Sequence, residues 1–134
     1  MPVIDASVYV ALINAQEEAH TRCWTWFEGA QATREAIVAP AILLPEVAAA
    51  ISRGVGNKEL ALKVVEQLKG AGVIELFPVT QPVAEQAAQV ASEHRIRGCD
   101  AVYVALAAQL ADELITLDRQ QLEQANSIVE VRKP

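Results

Sequence analysis

The sequence has few cysteines and no long hydrophobic run. Its two cysteines, Cys23 and Cys99, lie far apart in the chain. Their placement excludes a disulfide-rich scaffold and the CxxC spacing of a zinc knuckle or redox pair, so we expect two buried free thiols. The N-terminal run VIDASVYVALI is short and carries Asp5 with no basic residue before it. It resembles neither a signal peptide nor a membrane span, so we expect a cytoplasmic protein with no membrane association.

Positive charge is also scarce. The chain has 11 Lys and Arg against 17 Asp and Glu, a formal net charge of −6. This balance argues against a polyanionic partner, because affinity for nucleic acid usually comes from Lys and Arg that neutralise phosphates. The 134 residues are 52% hydrophobic, which is enough to build one substantial core. We therefore expect a single domain over residues 1–134.

Apolar β-branched runs of strand length alternate with longer helical patterns. Connections of this length imply right-handed crossovers between parallel strands. The pattern predicts a three-layer α/β/α fold with a mostly parallel central sheet of about five strands. The predicted strands are residues 2–4, 36–39, 73–77, 113–117 and 128–131, and the predicted helices are residues 7–15, 19–30, 41–54, 57–70, 82–94, 99–111 and 119–125.

Three aspartates occupy positions where a parallel sheet collects its ligands. Asp5 follows the first predicted strand, Asp118 follows the fourth, and Asp100 begins the helix that leads into the fourth. Ligands bind beyond the carboxyl ends of parallel strands, so we expect these three side chains to converge there. The alternative is that each is an ordinary helix N-cap, where Asp is favoured.

A fourth acid, Glu46, lies in the apolar segment AILLPEVAAAI. A charge facing inward from such a helix needs a partner; the alternative is a solvated Glu on the outer face. Carboxylates about 4 Å apart repel by about 4 kcal/mol per pair at an effective dielectric of 20, so a cation is required among them. His20 and His94 are isolated in the sequence. Ligation by oxygen alone indicates a hard cation, Mg²⁺ or Mn²⁺.

The segments VIDASVYVALI, VAPAILLPEVAAAI, RGCDAVYVALA and LITLDRQ together resemble the PIN-domain ribonucleases, in particular the VapC-type toxins of prokaryotic toxin–antitoxin modules. The resemblance covers essentially the whole chain and depends on the order of the acids. It implies that Asp5, Glu46, Asp100 and Asp118 form the catalytic quartet that holds the metal. It also implies metal-assisted hydrolysis of RNA that leaves a 5′-phosphate and a 3′-hydroxyl.

Two hydroxyl residues are secondary site candidates by the same resemblance. Thr116 matches the family's hydroxyl two residues before the last acid, and Ser7 matches a frequent polar position after the first acid. Thr116 is otherwise an ordinary strand residue, and Ser7 a helix residue that bonds its own backbone.

Basic residues near the acids reduce the objection from net charge. Two divalent cations would change −6 to −2, and Arg95, Arg97 and Arg119 flank Asp100 and Asp118 in the sequence. We expect these arginines to contact RNA phosphates on either side of the scissile bond; their alternative role is solubility.

The resemblance also implies two protein partners, a cognate antitoxin and a second copy of the chain. In CWTWF, Trp24 and Phe27 share a helix face and Trp26 points away from it. Trp26 either packs at the edge of the core or is exposed and available to a partner. A stripe of Leu60, Val64 and Leu68 packs either on the sheet or across a homodimer.

Other functional classes fit less well. A receiver domain needs an acid at the end of the middle strand and a later Lys, and VIELFPVT and LITLDRQ supply neither. A haloacid-dehalogenase-like phosphatase needs Asp-x-Asp where this chain has VIDAS. A non-catalytic PIN-fold module that binds RNA or protein is the main alternative.

Overall fold

The computed structural model describes residues 1–134 and has a five-stranded, all-parallel sheet flanked by seven helices. The strands are β1 (Val3–Ile4), β2 (Ile37–Pro40), β3 (Ile74–Phe77), β4 (Leu114–Ile115) and β5 (Val131–Arg132). The helices are α1 (Ala6–Ile13), α2 (His20–Ala32), α3 (Leu43–Val55), α4 (Lys58–Gly70), α5 (Gln81–His94), α6 (Gly98–Leu110) and α7 (Arg119–Gln124).

The strand order is β3-β2-β1-β4-β5. The chain proceeds outward from β1 to β2 and β3, then crosses back over the sheet to form β4 on the other side of β1. In the register between the central strands, Val3 is paired with Leu114 and Ile4 with Ile115. The direction of winding therefore changes between β1 and β4, and ligands of open α/β sheets bind at such a switch point.

The centre of the sheet is buried on both faces. Every residue of β1, β2 and β4 is buried, as expected for parallel strands covered by helices. Helix α6 contacts β1, β2 and β4, and its Ala-rich sequence buries seven of its 13 residues. The buried apolar side chains form one cluster of 30 residues. This rigid centre positions the loops that follow β1 and β4.

The fold class and all seven helices are confirmed, with helix ends within two residues of the predicted bounds. The last strand is displaced: we predicted residues 128–131, and only Val131–Arg132 pair with β4. The N–H groups of Ile128 and Val129 instead donate to the carbonyl of Ala125 at 3.0 and 3.2 Å. These bonds close a turn after α7, so the β-branched residues of this segment do not extend the strand.

Trp26 packs at the edge of the core, which is one of the two expectations for it, and the predicted burial of Cys99 is wrong. Trp26 is half-buried against the core, whereas Trp24 is 40% exposed. The inward face of α2 is set by the buried Cys23, and Trp26 lies three residues further on the same face, while Trp24 is rotated away from it. Cys99 is exposed rather than buried, because it lies in the first turn of α6 on its outer side.

The apolar stripe of α4 is used mainly within the chain. Val64 and Leu68 are buried in the core, and only Leu60, at the start of the helix, is exposed. None of the seven helices is both long and apolar enough to cross a membrane.

Candidate functional site

The three aspartates converge at the switch point of the sheet. Asp5 is the N-cap of α1 directly after β1, and Asp118 is the N-cap of α7 after β4. Asp100 lies in the first turn of α6, the helix that packs across β1 and β4. Hydrogen bonds through two other side chains, Gln121 and Arg97, link the three carboxylates.

Asp5 is the most buried of the acids, with 3% of its surface exposed. Its Oδ1 accepts hydrogen bonds from Ser7 Oγ at 2.5 Å and from the backbone N–H of Val8 at 3.2 Å. Its Oδ2 accepts from the hydroxyl of Thr116 and from Gln121 Nε2, the latter at 3.0 Å. Burial raises the pKa of Asp5 to about 6, although the hydrogen bonds from Ser7 and Thr116 oppose the rise.

Both hydroxyl candidates contact the site and also tie the two loops together. Ser7 Oγ accepts from the backbone N–H of Leu117 at 3.0 Å, and Thr116 Oγ1 accepts from the backbone N–H of Asp118 at 2.9 Å. Each hydroxyl therefore donates to Asp5 while it receives a backbone donor from the β4–α7 loop. The loop after β1 and the loop after β4 are fixed relative to each other by these bonds.

Gln121 lies between Asp5 and Asp100 and is 1% exposed. Its Nε2 donates to Asp5 Oδ2 at 3.0 Å and approaches Asp100 Oδ1 at 3.5 Å. Its backbone N–H donates to Asp118 Oδ1 at 3.2 Å. The amide oxygen, Oε1, is buried without any hydrogen-bond partner. The residue thus contacts all three aspartates and retains one free oxygen.

Arg97 supplies the positive charge nearest to the acids. Its Nε donates to Asp100 Oδ2 at 2.7 Å, and its Nη2 donates to Asp118 Oδ2 at 3.2 Å. Burial raises the pKa of Asp100, and the hydrogen bond and charge of Arg97 partly oppose this rise. The Arg97 side chain itself is 70% exposed, so it is free to leave the carboxylates.

Glu46 reaches the same region from α3. It is half-buried, and its Oε1 accepts a hydrogen bond from the hydroxyl of Tyr103 at 2.6 Å. Tyr103 is fully buried on α6, and burial together with the Glu46 charge raises its pKa above the usual range, so it remains a donor. Beside these residues is an open cleft of about 510 Å³ whose charged lining residues are Glu46, Arg53, Arg97 and Asp100.

The two remaining arginine candidates do not contact the carboxylates. Arg119 is exposed and its Nε lies 3.5 Å from Glu123 of its own helix. Arg95 is exposed at the C-cap of α5, and it contacts the region only through its carbonyl, which accepts from Gln120 Nε2 at 3.3 Å.

Sequence reasoning missed three residues of the site, and helical spacing was the available signal. Tyr103 lies three residues after Asp100, and Gln121 lies three residues after Asp118, so each shares a helix face with a predicted acid. Arg53 lies two turns after Glu46 on α3 and lines the same cleft.

The residues of the site fit a hard cation in their chemistry. The donor set consists of carboxylate, hydroxyl and amide oxygens, which Mg²⁺ and Mn²⁺ prefer, and Gln121 Oε1 is a buried oxygen in need of a partner. No three acidic, His or Cys side chains are grouped closely enough to hold an ion together as they stand. Arg97 and Gln121 bridge the aspartates by hydrogen bonds.

The five-stranded, all-parallel sheet flanked by seven helices is a PIN-like α/β fold. The family model described as PIN domain matches residues 3–126, and the chain belongs to this family. Members of the family generally bind Mg²⁺. No curated protein sequence matches the chain significantly.

Solved structures of similar fold are toxins and toxin–antitoxin complexes. VapC20 of Mycobacterium tuberculosis, a sarcin–ricin loop cleaving toxin, has a TM-score of 0.76 and 20% identity, over 98% of this chain and 99% of that chain. VapBC2 of Rickettsia felis, bound to a DNA fragment from its promoter, has a TM-score of 0.74 and 14% identity, over 99% of this chain and 98% of that chain. A toxin–antitoxin complex of Klebsiella pneumoniae has a TM-score of 0.68 and 17% identity, over 100% of this chain and 98% of that chain. At these identities the likeness shows the fold alone.

Proposed function

We propose that residues 1–134 act as one PIN-like domain, a Mg²⁺- or Mn²⁺-dependent endoribonuclease that is the toxin of a cytoplasmic toxin–antitoxin pair. The observation that carries the proposal is the linkage of Asp5, Asp100 and Asp118, which come from distant parts of the chain and meet at the switch point. Membership in the PIN family supports it, as do structural neighbours that are toxins.

The cost of burying Asp5 favours a role beyond structure. An ionised carboxylate that is almost fully buried destabilises the folded chain, and its pKa of about 6 expresses that cost. A chain that needed only a helix cap at this position would be served equally by Asn or Ser. Burial also raises the pKa of Asp100, which lines the cleft beside Glu46, and perturbed carboxylates in a cleft are typical of functional sites.

The chain's own residues fulfil distinct roles in this proposal. A bound Mg²⁺ supplies a water of lowered pKa and stabilises charge on the phosphoryl group. Asp5, Asp100, Asp118 and Glu46 hold the ion directly or through water. Ser7 and Thr116 fix both oxygens of Asp5, Tyr103 fixes Glu46, and the arginines of the cleft, Arg53 and Arg97, bind phosphates beside the cleaved bond.

Cleavage of single-stranded RNA by the purified protein tests the proposal. We expect cleavage with Mn²⁺, no cleavage with EDTA, and at least about a 100-fold loss in Asp100→Asn and Asp118→Asn, because charge stabilisation in the transition state depends on the metal. Asp112→Asn is the matched control, since Asp112 precedes β4 at the opposite edge of the sheet and pairs with the N-terminal ammonium.

Cleavage that resists EDTA, or full activity in both variants, contradicts the proposed mechanism. Tight RNA binding without any cleavage indicates the non-catalytic binding module instead.

We also propose an antitoxin partner and a homodimer. Toxin–antitoxin complexes among the structural neighbours support the first. An apolar cleft of about 150 Å³ between α1, α2 and α4 offers a surface for an apolar antitoxin segment, and its lining includes the exposed Ile13, Trp24 and Val73. Exposed Val55 and Leu62 at the α3–α4 corner are available to a second copy.

Co-expression with the product of a neighbouring small open reading frame tests the antitoxin. We expect a stable complex that Trp24→Ser weakens at least about 10-fold, as loss of an aromatic anchor does, while Leu62→Ser leaves it intact. Light scattering of the chain alone tests the homodimer, for which we expect twice the 14.4 kDa mass of one chain. A monomer at all concentrations contradicts it.

A further inference from the structure

Gln121 is a neutral side chain whose amide contacts the carboxylates of two of the proposed metal ligands. Both donor contacts of its Nε2 go to carboxylates, Asp5 at 3.0 Å and Asp100 at 3.5 Å. These contacts screen two negative charges that otherwise repel each other, and they do so without adding a charge. The amide group therefore bridges the two carboxylates.

The other half of the amide is unused. Gln121 Oε1 is buried and has no hydrogen-bond partner, although buried polar atoms are paired in the great majority of cases. The terminal amide carries an oxygen with two lone pairs beside its NH₂ group, and rotation about one bond exchanges their positions. A residue with only a packing role would be served by Leu or Met, which have no unsatisfied atom.

We infer that Gln121 belongs to the cation site: its NH₂ bridges Asp5 and Asp100, and its Oε1 is an oxygen donor for the cation or for water bound to it. This inference rests on the proposed function. In this role Gln121 is a positioning residue and a further oxygen donor, and the site contains an amide as well as carboxylates. Amide oxygens are ordinary ligands of hard cations.

Binding of Mn²⁺, measured by calorimetry on the purified protein without RNA, tests the inference. We expect Gln121→Leu to bind Mn²⁺ at least about 10-fold more weakly, the usual effect of losing a group that supports a metal site. We expect Gln121→Glu, of the same shape but with a second oxygen in place of NH₂, to bind at least about 10-fold more tightly. Gln120→Leu is the matched control, because Gln120 is the exposed neighbour on α7, and we expect its affinity to be unchanged.

The direction of change in Gln121→Leu separates the two roles of the amide. If the amide only competes with the cation for the carboxylates, removing it leaves Mn²⁺ affinity equal or higher, and the inference is overturned. Should Gln121→Leu fail to fold by circular dichroism, Gln121→Glu decides alone, and affinity no higher than that of the wild type overturns the inference. Failure of the proposed function is distinguishable, since the wild-type chain would then bind no Mn²⁺ or bind it equally well after Asp100→Asn.

Discussion

The carboxyl edge of the sheet has two parts that begin their helices differently. On the side of β3, α5 begins at Thr80, an exposed neutral cap whose hydroxyl accepts only from the N–H of Val83, at 3.5 Å. At the centre, α1 begins at Asp5, a buried charged cap that accepts one backbone bond and three side-chain bonds. Helix capping requires a single acceptor, so the additional donors around Asp5 serve its charge.

The comparison decides between the two explanations of the aspartates. Asp5 and Asp118 are N-caps, as the simpler explanation holds, yet both also belong to the linked group. Asp100 is not a cap at all, because α6 has Arg97 at its N-cap position and no side-chain cap bond. Helix capping therefore explains some of the hydrogen bonds of Asp5 and Asp118, and it explains none of those of Asp100.

The largest expected effect is on the pH dependence of stability. Asp5 has a pKa of about 6 in the folded chain, against an ordinary value of 3.8, so between these values the folded chain binds a proton that the unfolded chain lacks. The free energy of unfolding contributed by Asp5 therefore falls as pH rises from about 4 to about 6, by about 2–3 kcal/mol in total. Urea unfolding in EDTA across this range measures the fall.

Asp5→Asn removes this fall because the amide has no charge to bury. We expect the free energy of unfolding of the variant in EDTA to stay level between pH 4 and pH 6. We also expect the variant to lose the stabilisation that Mn²⁺ confers on the wild type, because one carboxylate oxygen becomes an NH₂ group, which donates and does not accept. Asp112 should show the opposite dependence of stability on pH. Burial raises its pKa, but hydrogen bonds from the N-terminal ammonium and the backbone N–H of Glu113 outweigh this and lower it. We therefore expect Asp112→Asn to be less stable than the wild type at pH 7.5. If the stability of Asp5→Asn falls between pH 4 and pH 6 as that of the wild type does, the fall does not come from Asp5.

Replacement of Thr by Val should lower the free energy of unfolding more at Thr116, in the centre of the edge, than at Thr80, on the side of β3. Thr116→Val removes a buried hydroxyl that donates to Asp5 and accepts from the N–H of Asp118, and we expect a loss of about 2 kcal/mol because two buried groups lose their partner. Thr80→Val removes only an exposed cap, at a cost of about 1 kcal/mol or less. We also expect RNA cleavage to fall in the first variant alone. Equal costs, measured by urea unfolding, would remove the distinction.

The hydrogen bond between Tyr103 and Glu46 should contribute less to the free energy of unfolding than the contacts of Thr116 do. Tyr103→Phe removes one hydroxyl from a fully buried ring and leaves a half-buried carboxylate with access to water. We expect a loss of about 1 kcal/mol in the free energy of unfolding, with a larger proportional loss of RNA cleavage because Glu46 is no longer held in place. Unchanged cleavage would show that Glu46 needs no positioning.

The fold and the positions of Asp5, Asp100 and Asp118 were accessible from the sequence because each rests on a local signal. Periodicity determined the seven helices, and the order of strand, acid and helix placed Asp5, Asp100 and Asp118 at one edge. Helical spacing places Gln121 on the same face as Asp118, but its contact with Asp5, 116 positions away, is tertiary and was not accessible from the sequence. The last strand was misplaced because a turn closed by Ala125 takes up its β-branched residues. The orientation of α2 depends on which face meets the core, and that face cannot be chosen from CWTWF alone.

The smallest effect on stability is expected for substitution of Arg97. Its guanidinium contacts Asp100 and Asp118, the same carboxylates that we propose hold the metal ion. Its side chain is 70% exposed, and exposed ion pairs contribute about 0–1 kcal/mol, so Arg97→Gln should unfold almost as the wild type does. We expect Arg97→Gln to have larger effects on the binding of Mn²⁺ and of RNA, and these two effects should have opposite signs. Mn²⁺ no longer competes with the guanidinium for Asp100 and Asp118, and we expect severalfold tighter binding at low salt. RNA loses a phosphate contact, and we expect weaker binding with a shallower salt dependence. Weaker Mn²⁺ binding in this variant would mean that Arg97 organises the carboxylates for the ion instead of occupying its place.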